Sequence, residues 1–254
     1  MTYLEFFTLS SPAPDKVCNE DACLVAGKVA QGRFARGGVL DLMKPAVFAI
    51  ADGVSRSPAA HQASRQLLKL LAATSADELI QKPRSTLLAL QDRFTQWGRK
   101  RGFAGAATTL VGLCLSETGT LVFNVGNSRA YRFRQGVMRQ CSHDHTQLQD
   151  MIDAGEITPE QARSAAQLYS GLSSCFVAEP ALDEMSVHID RLSPPGNDTW
   201  LLCSDGLTEG LSDDEIARLV DGGDFKTTAR RLEKVARLAG STDDLSLLLL
   251  RTIA

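Results

Sequence analysis

The chain has no CxxC pair, no basic block, no internal repeat or low-complexity tract, and no run approaching the roughly 18 apolar residues of a membrane-spanning helix. Six isolated cysteines (Cys18, Cys23, Cys114, Cys141, Cys175 and Cys203), several inside apolar runs such as VGLCLS and WLLCSD, read as reduced core residues. A disulfide framework is thereby excluded. Charges are scattered, 27 basic against 30 acidic, which argues against a nucleic-acid partner. The four histidines (His61, His143, His145, His188) show no metal-ligand spacing. The N-terminal MTYLEFFTLSSPAP lacks a basic segment and carries Glu5 inside its apolar stretch, so a cytoplasmic protein without membrane association is expected. Neither GxxxxGK[ST] nor GxSxG occurs. Nucleotide-loop and serine-elbow chemistry are thus set aside.

What is present is ordinary globular composition, 44% hydrophobic and 22% charged, with chain enough for one large domain spanning residues 1–254. Strand-like runs are YLEFFTLS, ACLVAGKVA, AVFAIAD, ATTLVGLCLSE, GTLVFNVG, RAYRFRQG, LDEMSVHID, DTWLLCSD and DLSLLLLRTI. Helical spacing covers about 58–74, 85–100, 146–155, 159–167, 212–221 and 225–239, with capping boxes at Thr158 and Ser212. Helices fall in pairs between groups of strands, which predicts an α+β protein with antiparallel sheets. Residues 168–198 are the most irregular and read as a surface loop, a candidate lid.

One stretch, AVFAIADGVSRSP, sets the functional question. An Asp-Gly pair after an apolar run usually marks a hairpin turn. Here Asp52-Gly53 is followed by Ser57, a predicted N-cap, by Pro58 and by helical spacing at Ala60, Ala63, Leu67, Leu70 and Leu71. The pattern repeats at Asp205-Gly206. Further acidic pairs, Glu20-Asp21 and Asp243-Asp244, stand immediately before the apolar runs ACLVAG and LSLLLL. Each acid alone could be a solvated turn residue. Together at strand ends they would form a cluster that repels itself unless cations neutralise it, and carboxylates without His or Cys suit Mg²⁺ or Mn²⁺.

The motifs NEDA (19–22), FAIADG (48–53), AATTLVG (106–112), VGNSRAY (125–131), DHT (144–146), CSDGL (203–207) and TDDLS (242–246) come in the order and rough spacing of the metal-dependent serine/threonine protein phosphatases, the PPM or type 2C family. The chain resembles the bacterial-type members over about residues 8–251. The resemblance implies a four-layer α-β-β-α sandwich, two antiparallel sheets flanked by helix pairs, with two Mn²⁺ or Mg²⁺ ions at one end. Asp52 would bridge both ions, the Gly53 carbonyl would bind one, and Asp205 and Asp243 would complete the other. Glu20 and Asp21 would hold waters. The implied reaction is hydrolysis of phosphoserine or phosphothreonine on proteins, acting opposite a Ser/Thr kinase.

Three positions depart from the family pattern. Lys16 stands where the family has an arginine that grips the substrate phosphate, replacing a bidentate fork by a point charge. Val54-Ser55-Arg56 follows Asp52-Gly53 where a Gly-Gly or a His is usual, so Arg56 becomes a second candidate phosphate ligand. Asn127 replaces the aspartate associated in many bacterial members with a third metal ion. These departures leave a second reading, a catalytically weak phosphoprotein-binding regulator of the same fold.

Overall fold

Alternation in the apolar runs sorts the side chains into layers. On the strand Ala46–Asp52, Phe48 and Ile50 enter one core while Ala49 and Ala51 enter another, as the period of two requires. The computed structural model describes residues 3–158, 160–162, 169, 171–180, 184–194, 196–220 and 222–253. Its strands are β1 (Tyr3–Ser11), β2 (Asp21–Val25), β3 (Lys28–Gln31), β4 (Phe34–Asp41), β5 (Ala46–Asp52), β6 (Ala107–Thr108), β7 (Leu110–Ser116), β8 (Gly119–Val125), β9 (Arg129–Arg134), β10 (Val137–Gln140), β11 (Phe176–Val177), β12 (His188–Leu192), β13 (Thr199–Cys203) and β14 (Leu245–Ile253). The helices are α1 (Ala60–Ala72), α2 (Ala76–Gln81), α3 (Pro83–Arg101), α4 (Gln147–Asp153), α5 (Asp205–Thr208), α6 (Asp213–Leu219) and α7 (Phe225–Leu238).

Two six-stranded antiparallel sheets result, ordered β10-β9-β13-β14-β1-β4 and β12-β8-β7-β5-β2-β3. Between them lies an apolar layer that includes Phe48, Ile50, Leu113, Trp200, Leu202 and Leu248, all essentially inaccessible to solvent. The outer face of the second sheet packs on α1, α2 and α3 through Leu67, Leu71, Leu79, Leu87 and Phe94. The outer face of the first packs on α5, α6 and α7 through Leu207, Ile216, Leu232 and Ala236. This is the expected α-β-β-α sandwich. Among the described residues no helix is long and apolar enough to cross a membrane.

Several local expectations are corrected. Ser57 is not the N-cap of α1, which starts at Ala60 behind a left-handed Ala59. The Ser57 hydroxyl instead accepts a bond from Ala107 N at 3.0 Å, tying this segment to β6. ACLVAGKVA is a hairpin, because Ala26 and Gly27 both take positive φ and return the chain as β3. FARGGVLD (β4) and VMRQ (β10) are additional strands. In β4, Gly37 and Gly38 interrupt the apolar pattern because phenylalanine rings crowd their Cβ positions, and a Cβ would lie 2.8 Å from Phe7 and 3.0 Å from Phe6. The 85–100 helix begins at Pro83 and follows the separate α2. Of LDEMSVHID, whose first two residues lie outside the described ones, only His188 onward among the described residues is strand. The capping boxes at Thr158 and Ser212 form, although most of 159–167 lies outside the described residues. Within 168–198, β11 pairs with β6 and β12 with β8.

Asp198 clasps β9. Burial pushes its carboxyl up, but bonds from Arg134 (2.6 Å) and Arg132 (2.7 Å) outweigh burial and hold it below the usual carboxylate range. Arg132 also lies over the Trp200 ring. Asp198→Asn should destabilise the fold by about 3 kcal/mol at pH 7, because it leaves guanidinium groups without their counter-charge. Because the folded value is depressed, the wild-type advantage is present above the unfolded value of about 4 and is lost as pH falls through the folded one. Urea titrations of both proteins from pH 7 to pH 3 measure this convergence.

Candidate active site

Asp21 opens β2 and Asp52 closes β5, and antiparallel pairing sets them directly across from each other. Asp205 follows β13 at the first position of α5, while Asp243 and Asp244 precede β14. The acidic residues thus meet at one end of the sandwich. A cavity of about 450 Å³ there is lined by Asp52, Gly53, Arg56, Asn127, Asp205 and Asp243, with Leu172 and Cys175 at its side.

The repeated Asp-Gly pairs have a packing cause. A Cβ on Gly53 would lie 2.3 Å from the Ala60 carbonyl oxygen, and one on Gly206 would lie 2.0 Å from that of Asp244. At each site a neighbouring main chain occupies the space of a side chain. Neither glycine takes positive φ. The Asp52 carbonyl accepts from Thr109 N and the Thr108 hydroxyl, both at 2.8 Å, and Gly53 N donates to the Glu20 carbonyl at 3.1 Å.

Electrostatically the site is strained. Burial first, with the charges of Asp244 and Asp205, pushes the Asp21 carboxyl up to about 7 against hydrogen bonds from Ser204 and Ser246. Burial and the neighbouring acids also push Asp52 and Asp205 up, and these two carboxyls face each other closely enough to share a proton. Asn127 Nδ2 donates to Asp205 Oδ2 at 2.9 Å. Asp21 Oδ1, Asp205 Oδ1 and Asn127 Oδ1 are all buried without a hydrogen-bond partner. Unpartnered, inward-facing oxygens are the donors a hard cation takes. As they stand, no three acidic, His or Cys side chains among the described residues converge tightly enough to hold an ion. A lysine brings positive charge to this cluster.

That lysine is Lys16. Its ammonium lies 2.6 Å from Glu20, 2.7 Å from Asp243, 3.3 Å from Asp244 and 2.9 Å from the Ser55 hydroxyl. The expected phosphate-binding side chain is thus drawn into the acids, while Arg56 is left facing the cavity. Burial lowers the Lys16 pKa, but its bonds to Asp243 and Glu20 dominate and raise it above the ordinary lysine value. It stays charged.

Asp244 was not singled out from its pair, yet it organises the loop. Its carboxylate accepts from Ala13 N and Glu20 N, both at 2.7 Å. Its direct attachment to the buried run LSLLLL was the available signal. The motif residues Arg129 and Asp144 form a bidentate clamp beneath the cavity, and His145 Nδ1 accepts from Gly126 N at 3.0 Å, holding the turn that presents Asn127. Burial first, then the neighbouring His143, holds the His145 pKa low. A neutral ring matches its acceptor role.

This two-sheet sandwich with an acidic end is the fold of the PPM protein phosphatases, and the chain resembles the bacterial members in sequence as well as in architecture. It is 29% identical over 209 residues to the Mycobacterium tuberculosis serine/threonine protein phosphatase PstP, covering 79% of this chain and 39% of PstP. It is 27% identical over 206 residues to the Listeria innocua serine/threonine phosphatase Stp, covering 76% of this chain and 79% of that one. Among solved structures, the PPM Ser-Thr phosphatase MsPP of Mycobacterium smegmatis, in complex with cacodylate, superposes with a TM-score of 0.73 at 27% identity over 97% of both chains. The catalytic domain of PstP in complex with two manganese ions gives 0.76 at 23% identity over 100% of both chains. No family model matches the chain. It spans only 39% of the length of the PstP relative.

A tethered ammonium among carboxylates competes with any divalent ion for them. Lys16→Met should therefore raise Mn²⁺ affinity by about tenfold, the scale of removing one nearby charge from a partly screened site. Titration calorimetry measures this directly; equal affinities would mean that Lys16 withdraws without cost when an ion arrives.

Proposed function

We propose that this chain is a metal-dependent protein-serine/threonine phosphatase, residues 1–254 forming one catalytic domain that acts on cytoplasmic phosphoproteins opposite a Ser/Thr kinase. The observation that carries the reading is the convergence of Asp52, Asp205 and Asp243 on one cavity beside unpartnered buried oxygens. Similarity to Ser/Thr phosphatases and to a two-manganese catalytic domain supports it. Asp52, the Gly53 carbonyl, Asp205 and Asp243 would hold two Mn²⁺ or Mg²⁺ ions. Bound there, the ions would supply positive charge for the phosphoryl oxygens and lower the pKa of water.

The protein's own groups supply the remainder. Glu20 and Asp21 orient water at the same end of the sandwich. Arg56, on the cavity wall, grips the phosphate monoester, and Lys16 adds a point charge when an incoming anion draws it from Glu20 and Asp243. Asn127 holds the Asp205 carboxylate in place through its amide. Its neutral oxygen gives a third ion little attraction. The regulator reading is favoured by one observation, the ammonium already seated among the acids. Turnover separates the two readings.

Phosphate release from a phosphothreonine peptide should require Mn²⁺ or Mg²⁺ and stop on chelation. Asp52→Asn and Asp243→Asn should each lower kcat by at least about 100-fold, the scale of losing several kcal/mol of transition-state charge stabilisation, with circular dichroism unchanged. Wild-type turnover in either variant would defeat the two-ion reading. Saturable phosphopeptide binding without turnover in wild type would establish the regulator instead.

In Asn127→Asp the amide that donates to Asp205 is replaced by a repelling carboxylate. Without metal this variant should melt below wild type. If a third ion can be shared there, its turnover should rise at high Mn²⁺ above the wild-type plateau. A metal titration identical to wild type in both melting temperature and kcat would leave Asn127 as turn chemistry alone.

A further inference from the structure

The layer between the sheets is open at one edge. β4 and β3 end their respective sheets, and a cavity of about 580 Å³ lies between them and their neighbours β1 and β2. Its walls are apolar, formed chiefly by Phe6, Val25, Phe34 and Leu40. Two cations also line it. Lys28 pairs in register with Val25, and Arg36 pairs with Thr8. Since Val25 packs on the inter-sheet core and Thr8 lines the same cavity, register pairing puts Lys28 and Arg36 on the inner faces of their edge strands. Among the described residues neither cation forms an ion pair or side-chain hydrogen bond. Thr8 is only 2% exposed, and its hydroxyl has no oxygen or nitrogen partner. Its neighbour is the Cys23 thiol, pushed up to about 12 chiefly by burial and so neutral, a weak partner for a hydroxyl.

Inward-pointing charge is also a device that protects edge strands from pairing with other chains. That account covers Lys28 and Arg36 but not the cavity beneath them or the buried Thr8 hydroxyl, whose one neighbour is a thiol. We infer that the slot between β1-β4 and β2-β3 binds a linear aliphatic carboxylate, a free fatty acid, with its head on Arg36, Lys28 and Thr8 and its chain along Phe6, Val25 and Leu40. A guanidinium takes a carboxylate through two parallel bonds, the ammonium adds charge, and the hydroxyl donates. The volume falls in the range of small-ligand pockets and suits one chain rather than two. This assignment is independent of the phosphatase reading and uses none of its residues.

The test is calorimetric titration of the full chain with sodium dodecanoate below its micellar concentration, beside dodecanol as the uncharged chain. One-to-one saturable binding of the carboxylate, at least about tenfold tighter than the alcohol, is expected from the loss of a charged hydrogen bond. The Lys28→Ala/Arg36→Ala double variant should bind at least about tenfold more weakly. Ala30→Leu, which fills the slot from β3, should remove binding and is checked for folding by circular dichroism. Absence of saturable binding overturns the assignment. So does equal affinity for the double variant or for dodecanol, and aggregation of the double variant without any ligand effect would then identify the cations as edge protection.

Discussion

Burying several carboxylates at one place is the constraint on which the rest of this structure depends. Asp21, Asp52 and Asp205 lie at strand ends deep enough for burial to oppose their ionisation, and only protons, a lysine or metal ions can relieve the repulsion. The layers exist in a form that imposes this. Two sheets stacked face to face bring the start of β2, the ends of β5 and β13 and the start of β14 to one rim, where Asp52, Asp205 and Asp243 line one cavity. The two glycines that follow Asp52 and Asp205 are required by the same crowding, since a main-chain carbonyl already fills each Cβ position.

The chain answers part of that repulsion with its own atoms. Lys16 reaches four oxygens, three of them carboxylate, and Asp244 in turn fixes the segment from Ala13 to Glu20 that carries it. Cation and acids are therefore held by one loop. Under the proposed function, an entering ion would compete with Lys16 for Asp243, and an incoming phosphate would compete with Glu20 and Asp243 for Lys16. Substrate and metal would release each other's sites.

The long strands were legible because their residues alternate between two apolar cores, as Phe48 and Ile50 do against Ala49 and Ala51. The acids were legible because each ends or begins such a run. What escaped has particular causes. β4 is a largely exposed edge strand whose Gly-Gly lies against Phe6 and Phe7 of the neighbouring strand, so it carries no apolar alternation of its own. Ser57 carries the local signature of a cap, but a tertiary bond to Ala107 claims its hydroxyl. Position alone likened Lys16 to a phosphate ligand, whereas its partners lie up to 228 residues away. No local pattern encodes them.

The place of β14 has a consequence for how the protein is made. This last strand of the fold sits between β13 and β1, pairing with both along its length, and it carries Leu247, Leu248, Leu249 and Leu250 alternately into two cores. Until it emerges from the ribosome, β1 and β13 have no neighbour to join them, and the first sheet exists as two unconnected pieces with exposed edges. Asp243 and Asp244 arrive with the same segment. A nascent chain therefore carries neither a finished first sheet nor a finished acidic cluster until the segment from Asp243 through β14 has been synthesised, so completion of the fold waits for that segment and exposed edges meanwhile need shelter from other chains.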